Sequence, residues 1–199
     1  MRATRILLSA CVLFSLPTLA QQAVPDSTQA DKYALVLYVG GGLSWYPKVA
    51  EVPVHLDARA QPLGASMSAR LMWLPDRRLR VGFESGWTPV YTYDIEGPGP
   101  KGRVEMVAVP LLLLWSMPVT KRLSLFAGYG TYRLTSTLHY LGTTRASTFS
   151  LGYAASLSYV VPFSPTLGLA IEGKWYNAVE TRHTLLCGQV QLVWKLHQW

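Results

Sequence analysis

Three histidines, His55, His139 and His183, carry the side chains of this sequence most readily turned to chemistry. With Asp57, Ser136 and Ser147 they supply the parts of an acyl-transfer device, in which a base activates a hydroxyl nucleophile. No motif ties any of these histidines to a serine, and all three fall between stretches of strand-like periodicity, where a histidine is ordinarily a solvated polar residue. They also lack the spacing of metal ligands, and Cys187 has no cysteine to join it once Cys11 leaves with the N-terminal segment. No cofactor or metal is therefore expected. A second set is Arg70, Arg80, Glu84, Glu172, Lys174 and Lys195, each set well inside an otherwise apolar stretch. Charges withdrawn from water must be paired, so this set points to a structural ion network rather than to catalysis.

The elements that position these charges are strands. In Thr148–Val161 the odd positions are Phe149, Leu151, Tyr153, Ala155, Leu157, Tyr159 and Val161, and the even ones run Thr, Ser, Gly, Ala, Ser, Ser before Val160. Side chains alternate across a strand, so one face is apolar with aromatics near both ends and the other is small or hydroxylated. A soluble strand would cover its polar face with long charged residues. A small-residue interior under an aromatic-bounded apolar exterior is the pattern of a transmembrane β-barrel strand. Tyr33–Tyr46, Leu63–Leu74, Leu79–Val90, Leu123–Leu134, the segment from Leu167 to Trp175 and the one from Leu186 to Leu196 repeat it. Gly40, Gly41 and Gly42 precede no helix start, so they mark a kink in a strand rather than a phosphate cradle. Val104–Met117 is apolar on both faces and holds Pro110 at its middle, which makes it the strand that fits the pattern least.

Composition agrees. Of 199 residues 50% are hydrophobic and only 15% charged, and the mean hydropathy is +0.19. After the N-terminus no apolar run approaches the roughly 18 residues of a membrane helix. The net charge of +7 falls by two, to +5, when Arg2 and Arg5 are removed, and no Lys/Arg cluster or basic helix suggests nucleic-acid binding. Residues 1–20 read as a signal peptide: a basic start, the apolar run Ile6–Leu16 and a cleavage site at Thr18-Leu19-Ala20. A lipoprotein signal ending at Cys11 would leave an apolar core too short for export. Residues 21–32 read as a polar periplasmic tail, and 33–199 as one barrel domain.

Tight turns begin at Pro75, Pro118 and Pro162, at intervals of 43 and 44 residues, and each interval holds two strands and a longer loop. Four such hairpins give an all-β, antiparallel up-and-down barrel of eight strands, with short turns on the periplasmic side. Pro47–Pro62, Tyr91–Gly102, Ser136–Ser147 and Asn177–His183 are expected as the outer loops, the first with a short strand extension. All six interior charges share the face opposite the apolar one, as a membrane requires, since Arg or Lys facing lipid at mid-depth costs about 2–4 kcal/mol. Arg133 and Glu105 break the rule near the loop-side strand ends. Trp199 ends the chain out of phase with Trp194 and Leu196.

The segment Val107-Ala108-Val109-Pro110-Leu111-Leu112-Leu113-Leu114-Trp115 resembles the x-E-I-P-L-L-L-K-Y strand of the bacterial outer-membrane β-barrel domain family, often labelled porin-like. Phe126-Ala127-Gly128-Tyr129-Gly130-Thr131-Tyr132 is similar to that family's Y-V-G-A-G-P-Y strand, and Lys174-Trp175-Tyr176-Asn177 to its R-Y-x-Y-G strand. Ala108 and Leu114 stand where the pattern has charges, which implies a less polar lumen there. The resemblance implies an integral protein of the Gram-negative outer membrane, surrounded by outer-membrane lipids and lipopolysaccharide and inserted by the barrel-assembly machinery. It implies no particular activity and names no loop partner. A lumen just wide enough for side chains to fill points to a plugged, salt-bridged barrel with a structural or surface-interaction role and no catalysis. The alternatives are a lipid-modifying enzyme of the lipid A deacylase or acyltransferase type, a small channel, or a soluble barrel holding an apolar ligand within.

Overall fold

The structure, a computed structural model, describes residues 33–47, 57–75, 80–96, 102–180 and 183–198. The expected signal peptide, the tail at 21–32, His55 and Trp199 lie outside these residues. The strands are β1 (Ala34–Trp45), β2 (Asp57–Gln61), β3 (Leu63–Leu74), β4 (Arg80–Glu96), β5 (Gly102–Pro118), β6 (Leu123–His139), β7 (Thr143–Pro162), β8 (Leu167–Ala178) and β9 (His183–Gln198). All pairings are antiparallel, and β1–β9 and β4–β5 join the sheet into a ring. Strands β2 and β3 are one stave interrupted at Pro62, both pairing with β4, so the barrel has eight staves.

The register fixes the barrel's dimensions. Leu35 pairs with Trp73, and the row continues through Val81, Trp115, Ala127, Ala155, Trp175 and Leu186 to Trp45. One circuit thus returns ten residues further along β1. Eight strands with that stagger tilt about 43° from the axis and enclose a radius of about 8 Å, enough for side chains and no more.

Alternation then sorts the residues. Six tryptophans, Trp45, Trp73, Trp87, Trp115, Trp175 and Trp194, are exposed on the outside together with Leu43, Phe83, Leu111, Leu157, Ile171 and Leu192. The inward positions of the same strands are buried. A molecule whose large apolar side chains face outward all round its wall cannot be a water-soluble barrel with an apolar cavity, which disposes of that alternative. Where β1 carries Gly40 and Gly42, a Cβ would collide with the backbone of β9 at Val190 and Gly188.

Several expectations change. Residues 91–96, 136–139 and 143–147 are strand rather than loop: β4 runs to Glu96 against β5 from Gly102, and β6 and β7 form a continuous hairpin through His139↔Thr143. Both continue a ladder beyond the apolar belt, where alternation no longer serves lipid and the sequence turns polar. The two-sided apolar strand β5 fits because this sector of the lumen is itself apolar, with Ala108, Leu112 and Leu114 buried inside. Pro110 leaves only a local gap, since the β4–β5 ladder breaks after Ser85↔Leu111 and resumes at Thr88↔Ala108 in the same register. Near the end of β9 the register slips, placing His197 opposite Leu35 and giving odd positions outward parity from there.

Candidate functional site

Arg70 and Glu84 are direct partners across β3 and β4, on the lumen face. Glu84 gathers three donors: Arg70 Nε at 2.7 Å, Lys174 Nζ at 3.1 Å and the Tyr176 hydroxyl at 2.6 Å. Arg70 reaches across to Glu172 through Nη2 at 2.6 Å, and Lys174 Nζ lies 3.8 Å from the other Glu172 oxygen. Two cations and two carboxylates, all four at most 3% exposed, therefore close a ring from β3 and β4 to β8. Hydroxyls and amides extend it, since Lys174 also donates to Ser68 at 2.8 Å, Ser68 donates to Gln189 at 2.7 Å, and Gln191 donates to both.

Aromatic and aliphatic groups seal this layer. The Arg70 guanidinium lies 4.1 Å from the centre of the Phe126 ring and 5.5 Å from that of Tyr38, and the two rings meet edge to face. Val36, Met72 and Val193 fill the lumen on the short-turn side of the charges, and Leu114 packs beside the charges themselves. Leu112, Tyr132, Leu134 and Leu185 fill the loop side. Beside Arg70, Glu84, Phe126 and Lys174 the packing leaves no volume for a water-sized sphere.

At the outer mouth Tyr46, Tyr91, Tyr93 and His183 form a second cluster. The Tyr46 hydroxyl and His183 Nδ1 are 3.0 Å apart, and Tyr91 meets Tyr93 edge-on with ring centres 4.8 Å apart. Burial, and then the neighbouring Tyr93 phenol, push the Tyr46 and Tyr91 hydroxyls above the ordinary phenol value, so both stay neutral.

Of the six interior charges read from the sequence, four meet in the ring. Arg80 is only half-buried near the short-turn end and has no ion-pair partner among the described residues. Lys195 has lumen parity, being paired with Val36, but it is exposed at the short-turn rim. Lys195 is exposed to water there, whereas the Arg80 Nε is buried without a hydrogen-bond partner among the described residues. Tyr176, Gln189 and Gln191 complete the ring without having been singled out as its members. The two glutamines were legible as consecutive inward positions of the last strand. Tyr91 and Tyr93 were not legible, because the β4–β5 register slips at Val90 and turns odd positions inward beyond it.

His139 is not assembled with Ser136 or Ser147. His139 and Ser136 lie on opposite faces of β6, Ser147 is bonded to Thr135 at 3.2 Å, and His139 to Thr143 at 3.1 Å. Among the described residues no group of three or more metal-ligating side chains converges.

A closed antiparallel ring with an unbroken lipid-facing belt and a filled polar lumen defines an integral membrane β-barrel of the outer-membrane type. Comparison with solved structures agrees on that fold. Over 84% of this chain and the whole of the other, it is similar to Ail, the attachment invasion locus protein of Yersinia pestis, at 9% identity and a TM-score of 0.50, in a structure that holds the heparin analogue sucrose octasulfate. The outer membrane protein OprG of Pseudomonas aeruginosa shares 14% identity over 85% of this chain and 97% of its own, with a TM-score of 0.44. Neisserial surface protein A shares 11% over 84% and 98%, with a TM-score of 0.40. No protein-family model and no curated protein matches the sequence. The eight-stranded outer-membrane barrel is thus the architecture, and the bacterial outer membrane its location.

Proposed function

We propose that this barrel neither conducts nor catalyses, and that it acts through what it presents outside the cell. The observation that carries this reading is the ring of Arg70, Glu84, Glu172 and Lys174, desolvated and sealed by apolar layers above and below. Charges that line a pore are hydrated and face a continuous path; these are spent on one another. The wall meets outer-membrane lipids and lipopolysaccharide, and insertion falls to the barrel-assembly machinery. Among the described residues, what remains for interaction is the polar extension of β4–β7 beyond the belt.

The test is bilayer recording of the purified barrel together with mass analysis of lipid A incubated with it. The expected result is no discrete conductance steps and no change in lipid A. Steps whose size shifts on Glu84→Gln would replace this reading with a small channel. Lipid A deacylation lost on His139→Ala or His183→Ala would replace it with an enzyme.

A further inference from the structure

Strand β7 is 20 residues long, yet only part of it is paired on both sides. Its ladder to β6 runs unbroken from Leu123↔Tyr159 to His139↔Thr143, whereas its ladder to β8 begins at Gly152↔Ala178. The last backbone bond on the β8 side is from the Val179 amide to the Leu151 carbonyl, at 2.9 Å. Thr143–Ser150 is therefore an edge, eight residues of extended chain with no strand beside it among the described residues, and Thr143–Phe149 are all exposed.

Sheet edges in stable proteins are blunted by proline, lysine, bulges or inward charges. This one has a single charge, Arg145, and no proline, lysine or bulge: the sequence is Thr-Thr-Arg-Ala-Ser-Thr-Phe-Ser, and no register shift interrupts its ladder to β6. The hairpin tip adds apolar surface. Leu141 stands at φ 50°, where a bulky side chain is unfavourable, and is 85% exposed beside Tyr140. From Arg133 to His139 the tilted hairpin rises about 15 Å above the apolar belt.

We propose that Thr143–Ser150 is a docking edge for an extended segment of a partner protein outside the cell, which adds as a further strand to β7. The partner carries an acidic side chain opposite Arg145 and an apolar one toward Phe149. Arg145 is the sole charge of the edge, Arg133 lies on the same outward face across from Phe149, and neither arginine has an ion-pair partner among the described residues. An edge whose one charge is a cation, with a second cation on the neighbouring strand, favours an acidic strand, while its alternating amides and carbonyls are matched by a polypeptide backbone and not by lipid. A second copy in the same membrane does not fit. Two such copies share an axis along the membrane normal, so strands tilted about 43° cross at about 86° and cannot form a ladder. The inference rests on the reading above that the barrel works through its outer surface.

The experiment uses the full barrel in nanodiscs. Two nine-residue peptides of alternating valine and threonine serve as probes, one with a central glutamate and one with a central lysine. Affinity is read by fluorescence anisotropy, and the contact by amide hydrogen exchange. The expected result is fast exchange in the free protein at Thr143, Arg145, Ser147 and Phe149, whose amides point away from β6 as those of Leu151 do, slowing there under saturating glutamate peptide, and at least tenfold weaker binding of the lysine peptide. Arg145→Glu is expected to reverse that preference. Slow exchange of the edge in the free protein, protection confined to other residues, or an Arg145→Glu variant with unchanged preference would each overturn the proposal. A conducting barrel would overturn the closed-lumen reading instead, and the recordings above separate that failure from this one.

Discussion

The lumen ring allows a sharp contrast between buried and exposed charge. Glu84 accepts from three donors, so Glu84→Gln leaves Arg70 and Lys174 with only Glu172 between them. Breaking a buried pair in this way costs about 3–5 kcal/mol. Arg70→Met added to Glu84→Gln returns the lumen to one cation and one carboxylate, and places an apolar chain against Phe126. We expect urea unfolding in detergent to show a large loss for the single variant and recovery of much of it in the double. Arg103 and Glu105 give the exposed counterpart, 2.8 Å apart with side chains 53% and 41% exposed. Arg103→Met is expected to change stability by less than about 1 kcal/mol in the same measurement. The Arg70–Glu84 pairing was legible from the sequence, because the turn after Pro75 brings the two to one height on one face. That Glu172 and Lys174 close the ring was not, since it depends on the barrel's radius and stagger, which no local pattern encodes.

At the scale of the strand, the alternation of β7 assigns each residue to lipid or to lumen, and the structure keeps that assignment along the whole membrane span. Leu157 is exposed to the outside and its neighbour Ser156 is buried. An arginine at mid-strand on the lipid side costs about 2–4 kcal/mol. Leu157→Arg is therefore expected to abolish the heat-modifiable gel mobility of the folded barrel. Ser156 faces the lumen and a threonine there keeps both the hydroxyl and the facing, so Ser156→Thr, though it crowds tight packing beside Phe126 and Lys174, is expected to keep that mobility. Mobility unchanged in Leu157→Arg would mean that the facing is reversed. Where alternation was a poor guide, a definite local cause exists. Beyond the belt the selective pressure for an apolar exterior ends, so the extensions of β4, β6 and β7 read as loops. The slip at Val90 then inverts which tyrosines face inward, and a slip of one residue carries no compositional signature.

The whole molecule is matched to the thickness of its membrane by the same stagger that closes the ring. Leu35 and Trp45 lie ten residues apart on β1, at the two ends of one circuit of the register. With about 3.3 Å per residue and a tilt of about 43°, they are separated by about 24 Å along the barrel axis. Trp73, Trp115 and Trp194 lie toward the short-turn ends of their strands, and Trp45, Trp87 and Trp175 further toward the loops, so aromatic side chains bracket this band. A barrel cannot shorten its belt by tilting as a lone helix does, because closure fixes the strand angle, so a thicker bilayer must thin around it or leave apolar chains against headgroups. That penalty is a fraction of a kcal/mol per Å of mismatch. We therefore expect unfolding free energies in lipid bilayers to peak near a hydrocarbon thickness of about 24–27 Å and to fall steadily in thicker ones. Stability that kept rising to about 35 Å would mean a taller belt, with the band between Leu35 and Trp45 wrongly bounded.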